Sequence, residues 1–182
     1  MTRSGGARRG PISRMGPQGS PEGPRRRLSH VDPKGAAQMV DVGGKDDTQR
    51  LARATGTIRM EPATLRAITK NTVKKGDVIA VARVAGILAG KQTPALIPLC
   101  HPVPLTDLQV TVQPDSTIPG LRAEAIARTV GKTGVEMEAL TAVAVTLITV
   151  YDMAKALDKG MVISDICLEE KQGGRSGHWV RK

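Results

Sequence analysis

The chain has 182 residues, 40% of them apolar, with 27 Lys+Arg against 17 Asp+Glu, two Cys, one Trp, one Tyr and no Phe. That length suits one ordinary domain with its own core, and two cysteines make no disulfide framework. The longest apolar run, Ala142 to Val150 with two threonines, is far short of the roughly eighteen residues of a bilayer crossing, and no apolar stretch follows the first arginines; neither a membrane partner nor a secretory leader is expected, and the default compartment is cytoplasmic.

Residues 1–27 hold seven arginines and a single acid, Glu22, together with six Gly and four Pro. So few apolar side chains cannot offset the entropy of ordering this stretch. It reads as a disordered basic tail, with the domain at 28–182. A basic arm is a common mark of nucleic-acid contact. Bases stack on aromatic rings, however, and the whole chain has only Tyr151 and Trp179. A solvated extension is the favoured reading, and a nucleic-acid partner is not expected.

Within the body, Thr55–Met60 reads as a strand. Pro62 suits the first turn of a helix running to about Lys70, and Asp77 caps an Ala-rich helix ending near Gly90. Asp107–Gln113 alternates, with Leu108, Val110 and Val112 on one face and polar residues on the other. A turn-rich segment, Pro114–Gly120, joins it to a second strand, Leu121–Val130, which puts Arg122, Glu124 and Arg128 on one face. Val135–Leu157 has the pattern of a long, largely buried helix that Gly160 stops, and Met161–Leu168 closes the series as a β-branched strand. The expected class is α+β: an antiparallel sheet covered by helices on one face.

Ionisable residues interrupt this pattern in four places. Lys74-Lys75-Gly76-Asp77 precedes a helix start, where amide donors and ammonium groups both attract anions; a solvated turn is the plainer alternative. Leu99-Cys100-His101-Pro102 ends an apolar run, and there a lone histidine is more often a structural hydrogen-bonder than a catalyst. Adjacent Cys and His lack zinc-ligand spacing and no second pair exists, so no metal site is expected. Gly131-Lys132-Thr133-Gly134 lacks the first glycine of a phosphate-binding P-loop, since Ile126 stands there. Of the carboxylates that follow, Glu136 and Glu138 point to different helix faces, so one can face a site while the other is solvated. Finally, Asp152 and Lys155 share a face at i, i+3. At the edge of the core, a partly desolvated couple of this kind suits proton transfer, although such pairs are usually surface decoration.

Glu138 and Asp152 lie 14 residues apart, within about 40° of the same helix face but about 21 Å apart along the axis. One small-molecule site in a single chain cannot easily use both. If both matter, each end of the helix serves a different copy.

Six strings occur in order: Ser29-His30-Val31-Asp32, Met39-Val40-Asp41-Val42, Lys75-Gly76-Asp77-Val78, Ile97-Pro98-Leu99-Cys100-His101-Pro102, Thr133-Gly134-Val135-Glu136-Met137-Glu138-Ala139-Leu140 and Tyr151-Asp152-Met153. In that order and spacing, over about residues 28–178, the chain closely resembles the cyclic pyranopterin monophosphate synthase family of molybdenum cofactor biosynthesis. The resemblance implies a ferredoxin-like α+β fold and a homohexamer built as a trimer of dimers, with active sites between subunits. It also implies a lyase reaction that rearranges cyclised dihydro-GTP to cyclic pyranopterin monophosphate and releases pyrophosphate. Asp152 matches the family's catalytic aspartate, Lys155 and Lys75 its catalytic lysines, and Leu99, Cys100, His101, Met137 and Glu138 its substrate-contacting positions. The late Lys171-Gln172-Gly173-Gly174-Arg175-Ser176-Gly177 stretch carries Arg175 where the family has lysine. Arg175 keeps the charge but not the geometry. Lys75, His101, Lys155 and Lys171 are cations available for a triphosphate. No resident cofactor is implied, and magnesium would arrive with the substrate phosphates.

Two other readings compete. A polyanion-binding module working through the arginine tail would bind oligonucleotides in a steeply salt-dependent way and lose that binding without residues 1–27. A non-catalytic relative would bind nucleotides without converting them; Asp152, Lys155 and Lys75 together argue against it.

Overall fold

The computed structural model describes residues 36–175 and 177–182. The basic tail at 1–27, the start of the domain at Leu28 and the Ser29–Asp32 string lie outside the described residues. Strand β1 (Thr48–Arg59) is followed by helices α1 (Pro62–Thr69), α2 (Val78–Lys91) and the short α3 (Thr93–Leu96), then by β2 (Leu105–Pro114), β3 (Gly120–Gly131), α4 (Glu136–Ala154), β4 (Val162–Gln172) and the two-residue β5 (Trp179–Val180). The strands form one antiparallel sheet in the order β2-β3-β1-β4-β5, with α2 and α4 on one face. This is the α+β, ferredoxin-like architecture.

Local chemistry accounts for the boundaries. Pro62 opens α1, and the Asp77 side chain accepts from the Ala80 amide at 2.9 Å to cap α2. β1 begins seven residues earlier than the pattern suggests. Its first half carries Arg50 and Arg53, whose charges hide the alternation. Arg53 faces away from the helices and pairs with Glu124 at 3.3 Å and Glu170 at 3.5 Å. β4 extends four residues past Leu168 for the same reason, through Glu169, Glu170 and Lys171. Helix α4 stops at Ala154, three residues short of Leu157.

A chain without Phe builds its core by close approach rather than by bulk. On the helix face the two central strands present Ala52, Ala54 and Gly56 beside Ala127, Ala125 and Ala123. A Cβ on Gly56 would lie 2.8 Å from Leu147 and 2.9 Å from Val143, so α4 rests directly on the sheet. On α2, a Cβ at Gly86 would collide with the Thr146 hydroxyl and sit 2.9 Å from the Ala142 carbonyl. Buried Val143, Leu147 and Val150 anchor α4, each contributing about 1.5–3 kcal/mol. By length and composition this helix could cross a membrane. Here its inner side is packed against the sheet and α2, the role of a core helix.

Candidate active site

At the C-terminal end of α4, the loop between α1 and α2 delivers Lys75. It turns at Gly76, whose φ of +98° suits a residue without a side chain. Lys75 Nζ donates to the Asp152 carboxylate at 2.9 Å and to its backbone carbonyl at 2.8 Å. Lys155 Nζ lies 2.8 Å from the other carboxylate oxygen. Asp152 is thus held between two ammonium groups. The hydrogen bond from Lys155, then that from Lys75, lowers its pKa to about 2, and the Lys155 ammonium is pushed up in return. The expected partial desolvation is not found in the single chain: Asp152 is 56% exposed, because nothing beyond the last turn of α4 covers it.

At the other end of the same helix, Glu138 is fully buried. Its Oε1 accepts weakly from the Cys100 thiol at 3.7 Å, and its Oε2 has no hydrogen-bond partner. Burial pushes the Glu138 carboxyl up, and burial with the Glu138 carboxyl beside it pushes the Cys100 thiol up to about 11. His101 Nε2 shares a 2.8 Å hydrogen bond with the Val40 carbonyl, the structural role expected of a lone histidine, and Leu99 is half-buried beside it. Glu136 turns to the other side of the helix and meets Lys171 at 2.9 Å, while Met137 is exposed. The two glutamates therefore separate as their spacing predicts.

Beside Glu136 opens a cavity of about 590 Å³, lined by Lys45, Arg50, Lys132, Lys171 and Arg175 against only two carboxylates, Asp46 and Glu136. A volume of this size accommodates a nucleotide-sized molecule, and its surplus of cations selects an anion. Arg50 is fixed by bonds to the carbonyls of Gly131 (3.2 Å) and Lys132 (3.3 Å). Gly173 and Gly174, at φ +96° and +71°, wrap it so closely that a Cβ on Gly174 would collide with its guanidinium. Thr48 also lines the cavity, with a buried hydroxyl that has no partner. Among the described residues, no group of three or more His, Cys, Asp and Glu side chains could hold a metal ion.

The structure brings Lys75, Asp152 and Lys155 together at one end of α4. At the other, Cys100, with His101 next to it in the chain, meets Glu138, while Lys171 meets Glu136 on the other side of the helix. It does not join the two groups within one chain. The family model of the MoaC family matches residues 39–174, a span that contains both ends. The chain belongs to the MoaC family. The cyclic pyranopterin monophosphate synthases of Brucella ovis and Brucella melitensis biotype 2 are each 57% identical to it over 154 residues, covering 85% of this chain and 93% of each relative. The protein of that name from Brucella suis biovar 1 is 56% identical over the same length.

Against this MoaC-family background, sequence reasoning passed over Lys45, Arg50 and Lys132. Lys132 was in view within Gly-Lys-Thr, but only as a P-loop candidate. Arg50 lay in a stretch not read as strand. The signal that points to Arg50 is the pair of glycines at 173–174, whose positive φ values serve to pack backbone against it.

Proposed function

We propose that this chain converts 3′,8-cyclo-7,8-dihydro-GTP to cyclic pyranopterin monophosphate with release of pyrophosphate, as a lyase of molybdenum cofactor biosynthesis. The observation that carries the reading is the ion triplet of Lys75, Asp152 and Lys155, in which a carboxylate is gripped at 2.9 and 2.8 Å by two lysines from different parts of the chain. The reaction opens a purine ring, rebuilds it as a pterin and closes a cyclic phosphate, and each stage moves protons. In the closing step a sugar-derived hydroxyl oxygen bonds to the α-phosphorus while the α–β phosphoanhydride breaks, and pyrophosphate leaves with the electron pair. The hydroxyl proton passes to a base. Asp152, Lys75 and Lys155 supply the groups that accept and return protons.

The basic cavity binds the phosphates. Lys171 and Arg175, with Lys45, Arg50 and Lys132, offer charge-assisted hydrogen bonds to phosphate oxygens, the pairing that makes the strongest polar contacts. Leu99, Cys100, His101, Met137 and Glu138 hold the purine. Glu138, its carboxyl pushed up by burial and one of its oxygens unpartnered, suits a ring edge that presents hydrogen-bonding groups. No resident cofactor enters this scheme, and magnesium travels with the substrate phosphates. Because the triplet and the cavity stand at opposite ends of α4, the complete site forms between subunits, within a homohexamer arranged as a trimer of dimers in the cytoplasm. Nucleic acid and membrane have no part in it.

The test is to supply the cyclised intermediate and measure pyrophosphate together with an oxidisable, fluorescent pterin. The wild-type chain releases both, and Asp152→Ala releases neither. Equal turnover by the two proteins would remove Asp152 from the mechanism.

A further inference from the structure

The chain leaves β4 through residues 173–177 and returns as β5, whose Trp179 and Val180 pair with Lys171 and Glu170. Within this loop the Gly173 amide donates to the Gly177 carbonyl and the Gly177 amide to the Gly174 carbonyl, each at 3.1 Å. Two ladder positions are too few to hold a strand by themselves. The residues on either side of them add the missing bonds. His178 Nε2 shares a 2.9 Å hydrogen bond with the Glu170 carboxylate. Arg181 donates twice, its amide to the Glu169 carbonyl and its Nε to the Leu168 carbonyl, both at 2.8 Å. The stretch of β4 that receives these bonds is braced from its other edge. Arg53 on β1 donates to Glu170 at 3.5 Å and Thr55 to Glu169 at 2.9 Å.

The loop tied down in this way forms one wall of the basic cavity and carries Arg175 into it. The other cations near it have holds of their own. Arg50 is fixed by the carbonyls of Gly131 and Lys132, and Lys171 by the Glu136 carboxylate. Arg175 pairs with no carboxylate among the described residues, so its place is set by the loop that bears it. We propose that β5 is a strap whose fasteners, His178 and Arg181, position Arg175 to bind a phosphate group of the substrate. The inference rests on the phosphate-binding reading of the cavity above and extends it to two residues that stand outside the cavity wall. The His178 and Arg181 side chains are 57% and 45% exposed. Water competes for their hydrogen bonds, and a short, exposed element of this kind opens at a small fraction of the cost of global unfolding. Apparent affinity falls with the fraction of molecules in the binding-competent form. Loosening the strap therefore weakens phosphate binding, although neither fastener touches the ligand.

The experiment unfastens the strap in the full-length chain with the double variant His178→Ala, Arg181→Ala, and titrates inorganic pyrophosphate into it by calorimetry. Both side chains are about half exposed, so their loss leaves the buried core intact. Amide hydrogen exchange over residues 172–177 is expected to quicken, and pyrophosphate affinity to fall about fivefold or more. The same pair of substitutions is then made in Arg175→Ala. If the fasteners act through Arg175, they change affinity there by less than about twofold. An equal fall in both backgrounds would overturn the proposal, because the strap would then serve structure at large. Unchanged exchange, or faster exchange with unchanged affinity, would overturn it as well. Turnover of the cyclised intermediate separates this claim from the functional one. A wild-type chain that binds pyrophosphate but converts nothing sinks the functional reading, and the affinities still decide the strap. A wild-type chain that binds no pyrophosphate sinks the strap.

Discussion

The two ends of α4 are built on opposite principles. At the C-terminal end a carboxylate lies in the open, saturated by two lysines and driven to a pKa of about 2. At the N-terminal end a carboxylate is buried without a cation, pushed up by burial, with one oxygen unpartnered. The first is fully ionised at neutral pH and too weak a base while it stays wet. The second carries more of its proton than an ordinary glutamate. Desolvation separates them, and closing a second chain over the open end would change the first far more than the second. In one chain the five-cation cavity and the Asp152 proton-transfer group stand at opposite ends of the helix.

The sharpest way to break this contrast is to disable the open end. Asp152→Asn should lower kcat by about 10²–10⁴-fold, the span typical for loss of a positioned acid–base group. The melting temperature should not move, because exposed ion pairs add little to stability. A melting temperature that falls in step with activity would make Asp152 a structural residue instead. Disabling the cavity should act differently. Removing one charge-assisted contact, as in Arg175→Ala, should raise KM by about 10–100-fold and leave kcat near its original value. A loss confined to kcat would place Arg175 at the reacting atoms.

The smallest expected effect lies at the buried end. A carboxyl whose pKa is raised on folding binds more protons folded than unfolded, so stability declines as pH rises above its ordinary value of 4.5. Thermal denaturation of Glu138→Gln and wild type should therefore diverge with rising pH, the variant gaining relative to wild type. Parallel pH profiles would show that Glu138 is no more protonated in the folded chain than in the unfolded one.

Much of the fold is legible in the chain because local chemistry sets it: Pro62 and Asp77 start helices, Leu108-Val110-Val112 alternates, and Gly120 and Gly160 mark turns. What escapes is determined at a distance. The first half of β1 is a strand because Arg53 finds Glu124 and Glu170, 71 and 117 residues away. For the site, the resemblance named Asp152, Lys155 and Lys75, yet the 77-residue separation of Lys75 and Asp152 gives no local sign that they touch. Arg50 and Lys132 were illegible for a related reason: their place in the cavity depends on loops that meet only in the folded chain. The exposure of Asp152 reversed an expectation drawn from the apolar run before it, since helix α4 ends just as it leaves the core.

The most direct test of a site divided between copies is complementation. Asp152→Asn removes the open end and Lys171→Ala impairs the cavity, so each protein alone should turn over poorly. Produced together in equal amounts, the two subunits should assemble so that about a quarter of all sites are wholly native, a share that two-fold pairing fixes. The account predicts turnover near a quarter of wild type for this mixture. A mixture no more active than its parents would contradict it.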